Sequence, residues 1–277
     1  MIEPGAAPHW RDLPMSGFDI ETTGVDVMKD RIVTATFIRA GKGIAPKIRN
    51  WMIDPGIEIP EGAARIHGVT TERARDEGMK PADALEDIRN ELLGAWARGE
   101  PVIAYNMPFD FTMTDQELVR YGFIRLPAKV GTEAMPTLDP MVIDKHIDPR
   151  RKGSRKLIDT CRVYNVPLSE EDAHSSEADT LAAMRLMYKL AGPDAGVRVN
   201  LGRWSGPPNW QDYRGLIHNT TLGDLVHLQR VWSAEQKRSF AEYKRNSGHS
   251  QVADSILAEI GWPLRREDPL VAEPPPL

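Results

Sequence analysis

Three stretches near the start of the chain have the apolar content typical of β-strands, at 17–22, 31–39 and 44–53. Between the second and third stretches, Gly41-Lys42-Gly43 supplies the residues that a tight turn needs. We therefore predict that these strands form an antiparallel meander.

Beyond the meander, apolar residues recur at helical spacing. One side of a predicted helix after Pro81 carries Leu85, Ile88, Leu92 and Trp96. Further helices are expected from Asp110 through Leu118, over 156–163 and over 176–190, with short strands at 102–105 and 137–139. A meander followed by strands that alternate with helices predicts an α/β fold with a mixed sheet.

The distribution of Gly, Pro and apolar residues divides the chain into five parts. The predicted parts are a lead-in segment at 1–14, a folded domain at 15–191, a Gly- and Pro-rich linker at 192–213, a helical appendage at 214–263 and a disordered, Pro-rich tail at 264–277.

The appendage has a helix start and an apolar stripe. Thr221 and Asp224 resemble a capping box, and Gly248 separates a long helix from a short one. The stripe consists of Leu222, Leu225, Val226 and Trp232, extended by Phe240 and Tyr243, and the short helix carries Val252, Ile256 and Ile260. Because an amphipathic helix must bury its apolar face, docking on the folded domain is the default, with a second copy or a DNA polymerase as alternative partners.

Composition narrows the classes of protein. With 35 Lys and Arg against 40 Asp and Glu, the net charge of −5 excludes a globally basic DNA-coating protein, although local basic patches remain open. The single cysteine, Cys161, excludes an internal disulfide and a cysteine-built zinc site. An apolar run long enough to span a membrane is absent, as is a signal-peptide pattern, so we expect a cytoplasmic protein without membrane contact.

Asp19 and Glu21 are the first chemically informative pair. On a strand they share one face while Phe18 and Ile20 point to the core. An isolated Asp-x-Glu pair usually lies on a solvated edge strand, but this one sits in the most apolar-flanked strand and leads into Thr-Thr-Gly. Two neighbouring carboxylates on a central strand need a cation, and hard oxygen ligands suit Mg²⁺ or Mn²⁺.

Two further segments carry acidic residues at structural boundaries. An apolar strand ends in the turn before Asp110, which opens a helix. His174 and Asp179 converge if a helix begins after His174 with Ser175 as its N-cap. Taken alone, an Asp in the first turn of a helix, such as Asp110, often only interacts favourably with the helix dipole. A single histidine such as His174 is often only a surface residue.

Together, the segments FDIETTG (18–24), YNMPFD (105–110) and HSSEAD (174–179) resemble the three motifs of the DEDDh 3′→5′ exonucleases. This family includes the proofreading ε subunit of bacterial DNA polymerase III, RNase T and oligoribonuclease. The order and spacing agree, and the resemblance covers about residues 15–191. A much weaker similarity links the C-terminal part to a tail of some actinobacterial exonucleases.

The resemblance implies an RNase H-like exonuclease fold, with a mixed five-stranded sheet flanked by helices. It assigns Asp19, Glu21, Asp110 and Asp179 as carboxylates that hold two divalent ions, Mg²⁺ or Mn²⁺, and His174 as the general base. The implied reaction releases nucleoside 5′-monophosphates from the 3′ end of single-stranded DNA, as in proofreading or repair.

The resemblance also implies residues that contact the substrate. The expected contacts are Thr22, Thr23 and Gly24 through backbone amides near the terminal hydroxyl, and His67 and Phe109 against the sugar or base. Core packing is the equal alternative for Phe109. Asn106 is a substrate-binding candidate that alternatively only holds its turn.

Two alternatives to a DNA exonuclease stay open: an RNA-trimming 3′→5′ exoribonuclease, and a non-catalytic nucleic-acid-binding module on the same fold. The basic segment 145–156 predicts either a solvated loop or a phosphate-tracking surface that includes Arg150, Arg151 and Lys152.

Overall fold

The centre of the protein is a mixed five-stranded sheet. The structure, a computed structural model, describes residues 9–126, 135–171, 175–200 and 210–265. The strands are β1 (Met15–Thr22), β2 (Ile32–Ala40), β3 (Lys47–Met52), β4 (Val102–Ile103) and β5 (Thr137–Leu138), in the spatial order β3-β2-β1-β4-β5. β1, β2 and β3 pair antiparallel, whereas β4 lies parallel to β1 and β5 parallel to β4. The predicted meander and mixed sheet are confirmed.

Helices flank this sheet and form the C-terminal part. Their bounds are α1 (Glu61–His67), α2 (Thr71–Glu77), α3 (Pro81–Ala97), α4 (Met107–Arg120), α5 (Pro140–Ile147), α6 (Leu157–Val163), α7 (Ser176–Leu190), α8 (Leu222–Asn246) and α9 (Ser250–Ala258). A 3₁₀ turn at Trp10–Asp12 precedes β1. Among the helices that the structure describes, none combines the length and apolar character needed to cross a membrane.

The central strand β1 has two different faces. Phe18 and Ile20 are 1 % and 5 % exposed on one face, and the Phe18 ring meets that of Phe111 edge to face. Gly17 lies on the other face, where a Cβ would approach Thr180 Cγ2 to 2.6 Å and Met184 to 2.7 Å. The absence of a side chain at position 17 therefore lets α7 pack directly on the face that carries Asp19 and Glu21.

The long C-terminal helix α8 packs on the sheet domain. Leu225, Val226 and Trp232 are buried in the same apolar core as the sheet. Gln229, fully buried, donates from Nε2 to the Thr137 carbonyl (3.1 Å), and its Oε1 accepts from the Asp139 N–H (2.7 Å). Within this chain, docking on the folded domain is thus the arrangement that α8 adopts.

Several predicted features of the C-terminal part were wrong. The segment 192–213 carries an antiparallel strand pair, β6 (Arg198–Asn200) and β7 (Trp210–Asp212), where only a linker was expected. Phe240 and Tyr243 are 50 % and 63 % exposed, so they do not extend the buried stripe, and Val252 is also exposed.

The predicted ends of the chain also need correction. Leu264 packs against the core and the Arg265 N–H donates to Thr112 Oγ1 (2.8 Å), so an ordered structure continues past the predicted start of the tail. In the lead-in segment, Trp10 is buried and its indole N–H donates to the Thr220 carbonyl. Residues 1–8 and 266–277 lie outside the described residues.

Three helices of the domain were not predicted. The helices α1 and α2 have seven residues each and bury no large apolar side chain, so the sequence carries no apolar stripe at helical spacing there. Pro140 was interpreted as the end of a strand, but it occupies the first turn of α5, where its missing N–H costs nothing, and Asp139 caps that helix.

We expect Gln229→Leu to lower the free energy of unfolding by about 2–4 kcal/mol, because the Asp139 N–H and the Thr137 carbonyl would stay buried without their partner. Urea denaturation measures the change. Gln251→Leu makes the same substitution at an exposed position of α9 and should leave the unfolding free energy within about 0.5 kcal/mol. Similar losses in both variants would contradict a structural role for the Gln229 bonds.

Candidate active site

The strand β1 and the first turn of α7 bring three acidic residues to one place. Asp19 and Glu21 are half-buried on the same face of β1. Asp179 lies in the first turn of α7, which packs on that face at Gly17. The structure thus brings the first and third motifs together, as predicted, although Glu21 and Asp179 are 158 residues apart in sequence.

Polar side chains fix the N-terminus of α7 over β1. Thr36, the register partner of Asp19 on β2, bonds through Oγ1 to Ser176 Oγ (2.8 Å) and to Asn50 Oδ1 (2.8 Å). The Asn50 amide in turn donates to Glu177 Oε2 (2.6 Å). These bonds attach the start of α7 to β2 and β3, next to Asp19.

The predicted start of α7 is correct, although its cap differs in detail. Ser175 occupies the N-cap position, and its carbonyl accepts the Asp179 N–H at 2.9 Å. The Ser175 hydroxyl makes no capping hydrogen bond within the described residues. The backbone, rather than the hydroxyl, sets the position of Asp179 in the first turn.

The fourth carboxylate, Asp110, is 4 % exposed in the first turn of α4. The turn before it contains Asn106 at φ 62°, a left-handed conformation that Asn tolerates better than most residues. The buried carboxylate of Asp139 accepts hydrogen bonds from the N–H groups of Asn106 (3.1 Å) and Met107 (3.0 Å), and also from Met141 (2.9 Å). Asp139 therefore holds the turn that delivers Asp110.

Electrostatic interactions link the four carboxylates into one cluster. Burial raises the pKa of Asp19 well above its usual value, and the charges of Asp110, Glu21 and Asp179 raise it further. Burial, and then Asp179, raise the pKa of Glu21 to about 7. Burial also raises the pKa of Asp110, against hydrogen bonds from its own backbone and that of Ile20. Without a cation, these carboxyl groups tend to keep their protons, because the ionised carboxylates would repel one another.

The chemistry of this cluster fits hard divalent cations. Four carboxylates converge from β1, α4 and α7, and a bound cation would offset the repulsion that raises their pKa values. Among the residues that the structure describes, no group of three or more His, Cys, Asp or Glu side chains has an arrangement that could hold a metal ion as it stands. The donor set fits, and the metal-binding roles of these residues remain predictions.

His174, the predicted general base, lies in the segment 172–174, outside the described residues. Its role stays a prediction that rests on the sequence motif alone.

The Thr-Thr-Gly turn after β1 is held by internal bonds. Thr22 Oγ1 donates to the Gly24 carbonyl (2.6 Å), and Thr23 Oγ1 donates to Asp30 Oδ1 (2.9 Å). A Cβ on Gly24 would lie 2.5 Å from the Asp30 carboxylate, which explains the glycine. The Thr23 N–H donates to the Arg31 carbonyl (2.9 Å), and the contact of this turn with the terminal nucleotide stays a prediction.

Of the other predicted substrate contacts, His67 lies beside this turn. Burial lowers the pKa of His67, and the Thr22 backbone partly opposes that shift. Phe109 is half-buried and packs against the core on one side, while the Arg265 guanidinium lies 5.1 Å from its ring centroid. Asn106 is exposed at the left-handed turn position, where its backbone N–H donates to Asp139 and so stabilises the turn.

The basic segment 145–156 is partly internal. The guanidinium groups of Arg151 and Arg155 both pair with Asp144, which is fully buried and also accepts the Tyr164 hydroxyl. These two arginines neutralise a buried carboxylate. The solvated-loop alternative is therefore wrong for Arg151, and its role in tracking phosphates stays a prediction.

The sequence interpretation did not identify Asp139 or Arg265 as site residues. An Asp directly before a Pro that begins a helix is a recognisable N-cap signal for Asp139. Nothing in the sequence around Arg265 indicates that it reaches the Phe109 ring.

The exonuclease family RNase_T matches residues 16–187 of the chain. Among curated relatives, the DNA polymerase III subunit epsilon of Rickettsia prowazekii is 26 % identical over 177 residues, which cover 63 % of this chain and 72 % of that protein. The DNA polymerase III PolC-type of Lacticaseibacillus paracasei is 25 % identical over 173 residues, 62 % of this chain, but the match spans only 11 % of the polymerase.

Among solved structures, E. coli Exonuclease I in complex with a dT13 oligonucleotide is similar in fold. The TM-score is 0.54 at 18 % identity, over 64 % of this chain and 40 % of that protein. The family match covers all three motifs and the whole central sheet, from Ser16 in β1 to Met187 in α7. The chain therefore belongs to the RNase_T exonuclease family.

Proposed function

We propose that the protein is a metal-dependent 3′→5′ exonuclease that removes nucleoside 5′-monophosphates from the 3′ end of single-stranded DNA. The observation that carries this proposal is the cluster of Asp19, Glu21, Asp110 and Asp179, whose charges act on one another inside an exonuclease-family fold. The names of the relatives support DNA as the substrate, since they are DNA polymerase III subunits and a nuclease bound to a deoxyoligonucleotide.

In this proposal, the four carboxylates hold two divalent ions, Mg²⁺ or Mn²⁺. When bound, such ions neutralise the charge that develops on the phosphate and acidify the attacking water. The carboxylates must lose their protons first, and the repulsion between the ionised groups, which adds to the effect of burial on their pKa values, then favours cation binding. His174 accepts the proton of the attacking water, as its motif position implies.

The remaining roles concern the terminal nucleotide. We assign the rings of His67 and Phe109 to contacts with the terminal sugar or base, because rings stack on bases without reading their sequence. The Thr-Thr-Gly turn supplies a rigid wall, because its own hydroxyls and Asp30 fix its shape. Asp139 acts as a positioning residue, through the backbone bonds that hold the turn before Asp110.

We expect Asp19→Asn to reduce shortening of a 5′-labelled single-stranded DNA oligomer by at least about 100-fold, because the central carboxylate of the cluster loses its charge. Gel analysis with Mg²⁺ or Mn²⁺ measures the rate, and EDTA should abolish it in the wild-type protein. Asp76→Asn, at an exposed position of α2, is the matched control and should retain full activity.

A parallel reaction with an RNA oligomer of the same sequence decides between the DNA and RNA exonuclease alternatives. Binding without shortening under any metal condition would favour the non-catalytic module. Equal shortening by Asp19→Asn and the wild-type protein would place the active centre elsewhere and refute the proposal.

The stability of the metal-free protein should depend on pH through Glu21. Its pKa of about 7 in the folded state exceeds the usual 4.5, so between these values the folded protein retains a proton that the unfolded chain releases. In EDTA, the free energy of unfolding should therefore fall as the pH rises from about 4.5 to 7, by on the order of 1–2 kcal/mol.

Urea denaturation at pH 5 and pH 8 checks this dependence. Glu21→Gln should reduce this dependence without abolishing it, because Asp19 and Asp110 keep their own raised pKa values, whereas Glu242→Gln, an exposed control on α8, should leave it unchanged. Mg²⁺ should stabilise the wild-type protein more at pH 8 than at pH 5, since ionised carboxylates bind the cation. The same pH slope in Glu21→Gln and the wild-type protein would show that Glu21 is not the responsible group.

A further inference from the structure

A groove of about 1030 Å³ lies between α5, α8 and the turn that leads into α4. Asn106 and Pro108 line it from that turn, next to the helix that carries Asp110. The groove therefore adjoins the helix that carries Asp110, and the folded domain and the C-terminal appendage both contribute to its walls.

The groove wall concentrates positive charge. Lys145 of α5, Lys237 of α8 and Arg265 near the C-terminal end of the described chain all line it. Burial, together with the charges of Arg265 and Lys145, lowers the pKa of Lys237 to about 8, while Glu259 opposes this shift. Burial also lowers the pKa of Lys145, with Asp139 opposing that shift. An anion in the groove would relieve this unfavourable proximity of cations.

The carboxylates of the groove wall compensate the cations only in part. Asp139 accepts three backbone hydrogen bonds, and Asp144, just behind the wall, pairs with Arg151 and Arg155. Glu259 lies 3.8 Å from the Arg265 guanidinium, and Glu235 also lines the groove. Lys237 donates to the Glu259 and Gly261 carbonyls, which fixes its ammonium group in the wall.

Two exposed aromatic rings continue this wall on α8. Phe240 and Tyr243 follow Lys237 at intervals of three residues, and both line the groove. Their rings are nearly parallel (14°) with centroids 6.5 Å apart, and Lys244 Nζ lies 5.3 Å from the Phe240 ring centroid. Exposed aromatic rings beside a row of cations are the features by which proteins bind single-stranded nucleic acid without sequence preference.

Arg265 connects the groove to the carboxylate cluster. Its guanidinium lies 5.1 Å from the centroid of the Phe109 ring, and its backbone N–H donates to Thr112 Oγ1. Phe109 directly precedes Asp110, so Arg265 contacts the first turn of the helix that carries this carboxylate.

We propose that the groove binds the part of the single strand that lies 5′ of the nucleotide being removed, with Lys145, Lys237 and Arg265 contacting phosphates and Phe240 and Tyr243 stacking on bases. The direction in which the strand lies in the groove, with its 3′ end at the carboxylates, rests on the proposed nuclease function. The proposal assigns the C-terminal appendage to substrate binding and makes the affinity for a substrate depend on the length of the strand.

The test compares a one-nucleotide substrate with a strand. The substrates are thymidine 5′-monophosphate p-nitrophenyl ester and a fluorescein-labelled dT12, and the variant is Lys145→Gln/Lys237→Gln. We expect its loss of kcat/KM to be at least about tenfold larger for dT12 than for the ester, because only the strand reaches the groove. The matched control is Lys42→Gln/Lys80→Gln, two exposed lysines outside the groove, and should show no such difference.

Binding of dT12 in EDTA, measured by fluorescence anisotropy, tests the groove without catalysis. Loss of two phosphate contacts should reduce the slope of log K against log salt by about 1.4. Lys145→Arg/Lys237→Arg should retain the wild-type slope, and Phe240→Ala/Tyr243→Ala should weaken binding with that slope unchanged.

Equal losses on the ester and dT12, or an unchanged salt slope in the Gln variant, would overturn the groove proposal. If the wild-type protein hydrolyses neither substrate, the proposed nuclease function fails, while the anisotropy arm still decides whether the groove binds a strand.

Discussion

The mutual repulsion of Asp19, Glu21, Asp110 and Asp179 is the constraint on which the arrangement of this protein depends. Burying acidic groups together on and beside a central strand is unfavourable, because burial raises the pKa values of Asp19 and Glu21 and the neighbouring carboxylates raise them further. Local packing around the site must supply the stability that these groups do not. The surrounding hydrogen bonds and close packing contacts stabilise the elements that hold these acidic groups together.

Each element that carries a carboxylate is restrained by a different device. Gly17 lets α7 lie directly on β1, and Thr36 attaches the first turn of α7 to the neighbouring strand. Asp139 binds the backbone of the turn before α4. These restraints fix the elements from which the acidic groups converge, which is what a preorganised site requires.

Much of this could be predicted from sequence, and the failures have physical causes. The alternation along β1 and the length of α3 and α7 gave strong periodic signals, and the structure has these elements where they were expected. Short elements such as α1, α5 and the β6–β7 pair carry too few residues for a periodic signal, and their packing depends on distant partners.

Within the site, the three motifs marked the acidic residues, but sequence could not reveal which groups hold them. Arg151 looked like a surface charge because its partner, Asp144, is recognisable only once both are folded. Phe240 and Tyr243 had the spacing of a buried stripe, and their exposure depends on where the domain surface ends beneath α8. Local patterns in the sequence do not indicate contacts between residues that come together only in the folded protein.

The bonds of Gln229 have a consequence for how this protein can be divided. One amide side chain joins α8 to the carbonyl of β5 and to the N–H of Asp139, the residue that orders the turn before Asp110. A chain shortened before α8 would expose an apolar wall and leave that turn with a loosened anchor. The sheet domain and its C-terminal helix therefore form one structural unit, and exchanging the helix for another would require a compensating change in the loop that it secures.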